Sequence, residues 1–513
     1  DKDTGIDEAN ATAEQIMEYL MGKDNFGISS KYDGDLAYRI VVVRYAMLGN
    51  RFARYKEVKI ATDVSDKTVA YVNEHMDTLS GISVNEDMIR KYNYSEYFSS
   101  IIGYTGPISE SEYTALHKKN KDYTQNDTVG KAGLEQYYET YLRGKNGEQK
   151  FYIDNVGRIS EIISSTDSVA GDDLYLSIDA DLQKATYLAL QNEIAAIVYS
   201  NIKSGEIPIN DVYTALIGNS VINTEHFSKA KASDTEKNVL SVFKSRQKTT
   251  LGKIKQELTS SPEALNTMSD EVLDEFTYII SMLKDDQVLL KNEIDTSDSV
   301  YQKWKNQKIS PKEYLSYCIT QHWIDISQLN VDEKYADSTE VYDALCKYIL
   351  KNIKTDTEFS KIIYQYMITR GEISPRQLCL ILFDQGVLDY DDATVNKLKN
   401  GSLSPRDFLM KKIYNIEITP AQLALEPCTG SCVVTDEKTG EIRAMVSYPG
   451  YDSNKLANGV DSEYFASLQH DKSFPLLNYA TQQMTAPGST FKLCSATAGL
   501  AENVTNTSEQ IRC

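Results

Sequence analysis

The sequence predicts an α+β protein of several domains: a β-rich N-terminal domain with a helical start, a large all-helical insertion, and a closing segment that returns to β texture. Three observations carry that prediction. The chain has 513 residues, enough for about three domains at roughly 150 residues each. Glycines punctuate short β-like runs over residues 51–170, then become sparse over 199–418, where helix-start signals recur. After Leu425 the alternation of a β-hairpin takes over.

Composition narrows the class. At 41% hydrophobic and 25% charged residues the chain is globular, which excludes collagen-like, mucin-like and broadly disordered polymers. Its 54 Lys and Arg against 74 Asp and Glu leave −20, so no global attraction to nucleic acid is expected. No apolar run reaches the ~18–20 residues of a spanning helix, and the nearest, Ile40 to Leu48, carries Arg44. The first residue is Asp1 with no signal-like segment after it, which leaves a trimmed start and a never-exported chain both open. Cysteines stand at 318, 346, 379, 428, 432, 494 and 513, an odd and sparse set that makes no disulfide framework. Cys428 and Cys432 lack a second pair to complete a metal site, so buried thiols are the expectation. Histidines 75, 117, 226, 322 and 470 are scattered singly, and no metal site is expected.

Along the chain, Ala13 to Met21 and Asp35 to Leu48 carry apolar residues at helical spacing. Val58 to Ala61 and Gly81 to Val84 read as β-like. Gly103, Gly106, Gly130, Gly133, Gly144 and Gly147 then mark turns or close backbone approach. Leu174 to Ile178 is a strand candidate, and Asp179 caps a helix from Asp181 to about Val198. Within the helical stretch, Ser261-Pro262, Ser310-Pro311, Ser374-Pro375, Ser404-Pro405 and Thr419-Pro420 share one logic. The hydroxyl caps free N–H groups, and proline sits at the first helical position, where its missing N–H costs nothing. Cys432 to Asp436 and Ile442 to Val446 flank a tight turn and predict a hairpin; a last helix is expected from Ser489 to about Glu502.

The chemistry concentrates in Ala486-Pro-Gly-Ser-Thr-Phe-Lys492. A Ser-x-x-Lys on a helix sets hydroxyl and amine one turn apart on one face. The Pro-Gly pair puts Ser489 at the helix start, where its N–H is free to face a developing oxyanion. Burial and the helix dipole are expected to disfavour charge on Lys492, making it a base for the serine proton. The bare pattern also occurs at Ser228/Lys231, Ser241/Lys244, Ser245/Lys248 and Ser281/Lys284, read as solvated helix faces. An ordinary helix cap at Ser489 is the competing reading.

Several separated motifs resemble the class B penicillin-binding proteins, the monofunctional D,D-transpeptidases. Gly430 to Asp452 resembles the first hairpin of their transpeptidase domain. Asn478-Tyr-Ala480 followed by Pro487-Gly-Ser-Thr-Phe-Lys492 resembles the run into their active-site serine, and Leu176 to Asp179 with Leu182-Gln183 their domain entry. Gly103-Tyr-Thr-Gly106 and Gly130 to Glu135 through Arg143-Gly144 resemble their N-terminal pedestal, also called the dimerisation domain. The resemblance implies a pedestal over 1–172, transpeptidase segments over 173–198 and 426–513, and a helical insertion over 199–425. The closing segment is then the first part of a transpeptidase domain of the penicillin-binding-protein and serine β-lactamase type. It further implies Ser489 as nucleophile and Lys492 as general base, peptidoglycan stem peptides as substrates, β-lactams as acylating inhibitors, and no cofactor. The place implied is the extracytoplasmic face of a bacterial cytoplasmic membrane. Docking of other cell-wall synthesis proteins through the pedestal or insertion is a further expectation.

Departures are visible. The family's later Ser-x-Asn and Lys-Thr-Gly motifs do not follow Lys492; Ser83-Val-Asn85 and Lys438-Thr-Gly440 stand in the wrong places. The chain as written is therefore expected to be an inactive fragment of an active enzyme. Tyr479 stands where the family usually has arginine. A serine β-lactamase or β-lactam sensor, and a non-catalytic scaffold for cell-wall assembly, are the alternatives.

Overall fold

The computed structural model describes residues 12–32, 34–49, 58–79, 81–84, 88–125, 127–153, 159–260, 263–329, 331 and 337–510. The chain divides into two compact units, one of residues 1–91 with 138–175 and one of 92–137 with 176–513.

The chain opens with α1 (Ala13–Met21), α2 (Gly34–Gly49) and α3 (Asp66–Glu74), the first two as the apolar spacing predicts. Thr12 and Gln15 form a reciprocal capping box that satisfies two free N–H groups of α1. Residues 58–61 and 81–84, read as β-like, join no strand ladder.

The second unit begins with α4 (Ser95–Ile102), β1 (Thr105–Pro107), α5 (Glu110–Lys119), β2 (Thr128–Gly130) and α6 (Gly133–Tyr137). β1 and β2 pair antiparallel, Gly106 opposite Val129. The glycine punctuation has a steric cause here. Gly103 has φ +78°, and a Cβ on it would lie 2.0 Å from the Ala132 carbonyl oxygen; one on Gly133, at φ +58°, would lie 2.4 Å from that of Ile101. The two backbones touch because neither carries a side chain.

The chain then returns to the first unit with α7 (Glu139–Leu142), β3 (Glu148–Ile153) and β4 (Ile159–Thr166), an antiparallel pair. Among the described residues the 1–172 region thus has seven helices and four strands. It carries less strand than its texture implied, because its glycines serve close backbone contacts as well as hairpins.

Back in the second unit, α8 (Ala180–Ser204) starts at Asp179, whose carboxylate accepts from Leu182 N. It runs past the expected end at Val198 to a left-handed Gly205. Residues 174–178 form no strand. Residues 176–178 carry no ladder, though Ser177 Oγ donates to the Ile442 carbonyl and Asp179 N to that of Arg443.

The described residues of 199–425 are predominantly helical: α9 (Ile209–Gly218), α10 (Asp234–Thr259), α11 (Asp270–Asp285), α12 (Ser299–Lys305), α13 (Pro311–Thr320), α14 (Ser338–Ile353), α15 (Thr357–Thr369), α16 (Pro375–Asp384), α17 (Asp392–Asn400), α18 (Pro405–Tyr414) and α19 (Pro420–Leu423). At α13, α16, α18 and α19 the Ser or Thr oxygen accepts from the N–H three residues on, with proline at the start, as predicted. Ser261-Pro262 lies outside the described residues. One continuous core runs from Val198 to Leu423 and includes Leu216, Phe276, Leu345, Phe359, Leu382 and Ile413, all fully buried. Each such side chain stabilises the fold by ~1.5–3 kcal/mol relative to exposure. Inside it lies a charged cluster. The Glu271 carboxylate accepts from Arg246 at 2.9 Å and from Arg370 at 2.6 Å, tying α10, α11 and α15.

The last elements are β5 (Gly430–Thr435), β6 (Ile442–Tyr448), α20 (Ser462–His470) and α21 (Lys492–Ala501). β5 and β6 form the predicted hairpin, Gly430 opposite Tyr448. A small second core of Tyr187, Ile194, Ala421, Val446 and Tyr448 seats it on α8.

Polar bridges join α4, α8 and the hairpin. The fully buried Gln183 mimics a strand residue: its amide oxygen accepts from Met445 N, and its nitrogen donates to the carbonyls of Met445 and Tyr97. Tyr187 donates its hydroxyl to Glu96 and accepts from Gly450 N. Asn454 makes the same two-way exchange with the Tyr92 backbone. Tyr451 N donates to Ser99 Oγ, and a Cβ on Gly450 would meet the Glu96 carbonyl at 1.9 Å. The residues 92–102 are thus locked on the loop after β6.

Candidate active site

The stretch leading to Ser489 leaves the body of the second unit at residues 477–482. Ser447, buried on β6, accepts from Tyr479 N at 2.9 Å and donates to the Leu477 carbonyl at 3.3 Å. Asn478 Nδ2 donates to the Ser100 carbonyl on α4 at 3.0 Å, while its Oδ1 accepts from Ala480 N. The Asn478 carbonyl accepts from both Thr481 N and Gln482 N, closing a turn. Tyr479, in the place usually held by arginine in the resembled family, is buried and donates its hydroxyl to the Ser473 carbonyl at 2.7 Å. Burial pushes its phenol up from the ordinary value.

Beyond Gln482 the chain runs exposed to Pro487 and then turns. Gly488 to Phe491 form a single 3₁₀ turn, and α21 begins only at Lys492. The expected α-helix from Ser489 is therefore a 3₁₀ start followed by α-helix. Gly488 takes φ +58°, the left-handed conformation that glycine adopts without steric cost. Thr490 Oγ1 donates to the Pro487 carbonyl, and Lys492 N donates to the Ser489 carbonyl, an i to i−3 bond. In 3₁₀ geometry residues three apart eclipse, so Ser489 and Lys492 share a face more strictly than in an α-helix. Among the described residues the Ser489 N–H has no hydrogen-bond acceptor, which suits a donor directed at an incoming oxyanion.

One expectation is corrected. Ser489 and Lys492 are both exposed, so the burial invoked to disfavour charge on Lys492 is not present. Nor do Ser489 Oγ and Lys492 Nζ hydrogen-bond to each other. Exposure does not set this pair apart from the other four Ser-x-x-Lys matches, whose serines are exposed too. What separates it is the Pro-Gly 3₁₀ turn. Neighbouring apolar side chains are open as well: Met484, Phe491, Leu493 and Val504 are all more than half exposed.

Lys438 and Thr439 lie in the hairpin turn, where their N–H groups donate to Asp436 Oδ1 and Gly440 takes φ +75°. Ser83-Val-Asn85 reaches outside the described residues. Cys428 is buried and Cys432 half-buried, both free thiols; burial pushes Cys428 up to about 12. Sequence reasoning did not find Ser447 or Ser100 as anchors. They are 32 and 378 residues from their partners, and no local spacing encodes such contacts.

Residues 2–176 match the family model of the penicillin-binding protein dimerisation domain, and residues 430–513 that of the penicillin-binding protein transpeptidase domain. Among curated proteins, the chain is 29% identical over 157 residues to a peptidoglycan D,D-transpeptidase MrdA of Salmonella typhimurium (strain LT2), covering 30% of this chain and 25% of that protein. It is 35% identical over 136 residues to penicillin-binding protein 2A of Bacillus subtilis (strain 168), covering 26% and 19%. These matches span a quarter or less of the relatives' own length. Among solved structures, penicillin-binding protein 2B of Streptococcus pneumoniae (strain 5204) is 22% identical over 39% of this chain and 35% of that one, with a TM-score of 0.23.

Proposed function

Because the chain belongs to the class B penicillin-binding proteins, we propose that it supplies the nucleophile-bearing part of a peptidoglycan D,D-transpeptidase. The observation that carries this is the exposed 3₁₀ turn Gly488–Phe491, with Lys492 N bonded to the Ser489 carbonyl, inside the stretch that matches the transpeptidase domain. Residues 1–172 are then the pedestal, 173–198 and 426–513 the transpeptidase segments, and 199–425 the insertion between them.

In this reading Ser489 Oγ attacks the penultimate D-Ala carbonyl of a stem peptide. Lys492 takes the hydroxyl proton as general base. The tetrahedral oxyanion collapses, the terminal D-Ala leaves as the protonated amine, and an ester to Ser489 remains. The amine of a neighbouring stem peptide then displaces the serine, forming the cross-link. The Ser489 N–H is one oxyanion donor, and such donors are worth ~3–4 kcal/mol each. β-Lactams acylate the same oxygen, and no metal or organic cofactor takes part. The site of action is the outer face of a bacterial cytoplasmic membrane. Among the described residues no helix is long and apolar enough to cross one.

Labelling with a fluorescent penicillin tests this in protein carrying the complete transpeptidase domain. Ser489→Ala is expected to abolish labelling, and Lys492→Ala to slow it by ~10²-fold or more. Wild-type labelling of Ser489→Ala overturns the assignment. No labelling of folded wild-type protein favours the non-catalytic scaffold.

A further inference from the structure

We infer that Asn478 is a positioning residue for the nucleophile: its side-chain bond to α4 sets where the Ser489 turn sits. This deepens the transpeptidase reading and rests on it.

From residue 483 to 510 every hydrogen bond made by the described chain stays inside that stretch, as in Thr490 to Pro487, Ser495 to Phe491 and Val504 to Gly499. Nearly all of its side chains are exposed. The last points at which the serine-bearing segment is tied to the rest of the unit are therefore Asn478, Tyr479 and the turn they close. Three ties meet there, to α4, to β6 and to residue 473. Asn478 Nδ2 reaches the Ser100 carbonyl on α4 at 3.0 Å. Tyr479 N reaches Ser447 on β6 at 2.9 Å. The Tyr479 hydroxyl reaches Ser473 at 2.7 Å. Three anchors on two adjacent residues hold the segment more firmly than one would. The Asn478 tie alone leads to α4, itself held on the loop after β6 by Ser99, Glu96 and the Gly450 contact.

Asn478 does two jobs with one amide. Its oxygen caps Ala480 N and its nitrogen holds α4, so Asn478→Asp keeps the cap and loses the tie. A displacement of ~1 Å at a reacting centre costs about 10²-fold in rate. In protein with the complete transpeptidase domain, Asn478→Asp and Asn478→Ala are expected to slow acylation by fluorescent penicillin by ~10–100-fold. The loss falls on the acylation step, while the dissociation constant of the initial non-covalent complex stays within about twofold.

Wild-type acylation rates in both variants, with Ser489→Ala unlabelled, overturn the inference and leave the transpeptidase reading standing. Label on Ser489→Ala sinks that reading instead. Hydrogen exchange on the unaltered chain serves if the variants do not fold. The amides of Tyr479, Ala480, Thr481 and Gln482 are expected to be protected and those of Gln483 to Ala486 to exchange freely. Equal, fast exchange across both sets refutes the anchor.

Discussion

Glu275 on α11 makes the stability of the helical stretch 199–425 depend on pH in a direction opposite to most carboxylates. The residue is 1% exposed, and among the described residues its Oε1 has no hydrogen-bond partner. Burial first, then the neighbouring Glu271 charge, pushes its carboxyl from 4.5 up to about 8, against the opposing pull of Lys253 and Arg246. The folded protein thus keeps this proton at neutral pH, while the unfolded chain releases it near 4.5. Between those values the unfolded state binds fewer protons, so stability is full below 4.5 and is lost as pH rises to about 8. The slope is about 1.4 kcal/mol per pH unit, giving at most ~5 kcal/mol across the window. Glu275→Gln removes the titration and keeps the shape. Urea unfolding followed by helical circular dichroism, at pH from about 5 to 8, should show a falling midpoint in the wild-type chain and a flatter one in Glu275→Gln. At the upper end the variant should be the more stable. Equal pH slopes in the two proteins refute the reasoning, since no other change separates them. Glu236 and Glu417, held below the usual range by hydrogen bonds that outweigh their burial, act on the other side and cost stability only as pH falls below about 4.5.

Gly450→Ala drives a Cβ into the Glu96 carbonyl and should destabilise the seat of α4 by ~1–3 kcal/mol. Thermal melts check it, and an unchanged midpoint means the loop yields freely. Gln183→Ala leaves the Met445 amide and the Met445 and Tyr97 carbonyls without their partner, a loss of ~1–3 kcal/mol for each group that stays dry. Gln183→Glu, which keeps the acceptor but sets a fully buried carboxylate against the Met445 and Tyr97 carbonyls, should cost at least as much in chemical denaturation.

Much of the fold is legible in local chemistry. Ser310, Ser374, Ser404 and Thr419 cap helices because a hydroxyl and a following proline solve a problem within four residues. The hairpin at 430–448 is legible for the same reason, its turn being closed by Asp436 on its own neighbours. Residues 174–178 form no strand despite the pattern that predicts one. Their composition is strand-like, but whether a ladder forms depends on the partner, and there they meet β6 only through Ser177 and Asp179. The site shows the same division. Ser489 and Lys492 are visible from a four-residue pattern with Pro-Gly before it; their exposure and the anchors behind them are not.

What the residues determine unaided is whatever closes within one turn of chain: caps, turns, apolar periodicity, and a hydroxyl three residues from an amine. Burial and long-range pairing lie beyond them. The buried Glu275 carboxyl beside Glu271 arises only when helices pack, and the Gln183 amide posing as a strand and the tie from Asn478 to α4 arise only when segments hundreds of residues apart meet. Desolvation and hydrogen-bond direction depend on neighbours in space, and the tertiary fold alone decides who those are.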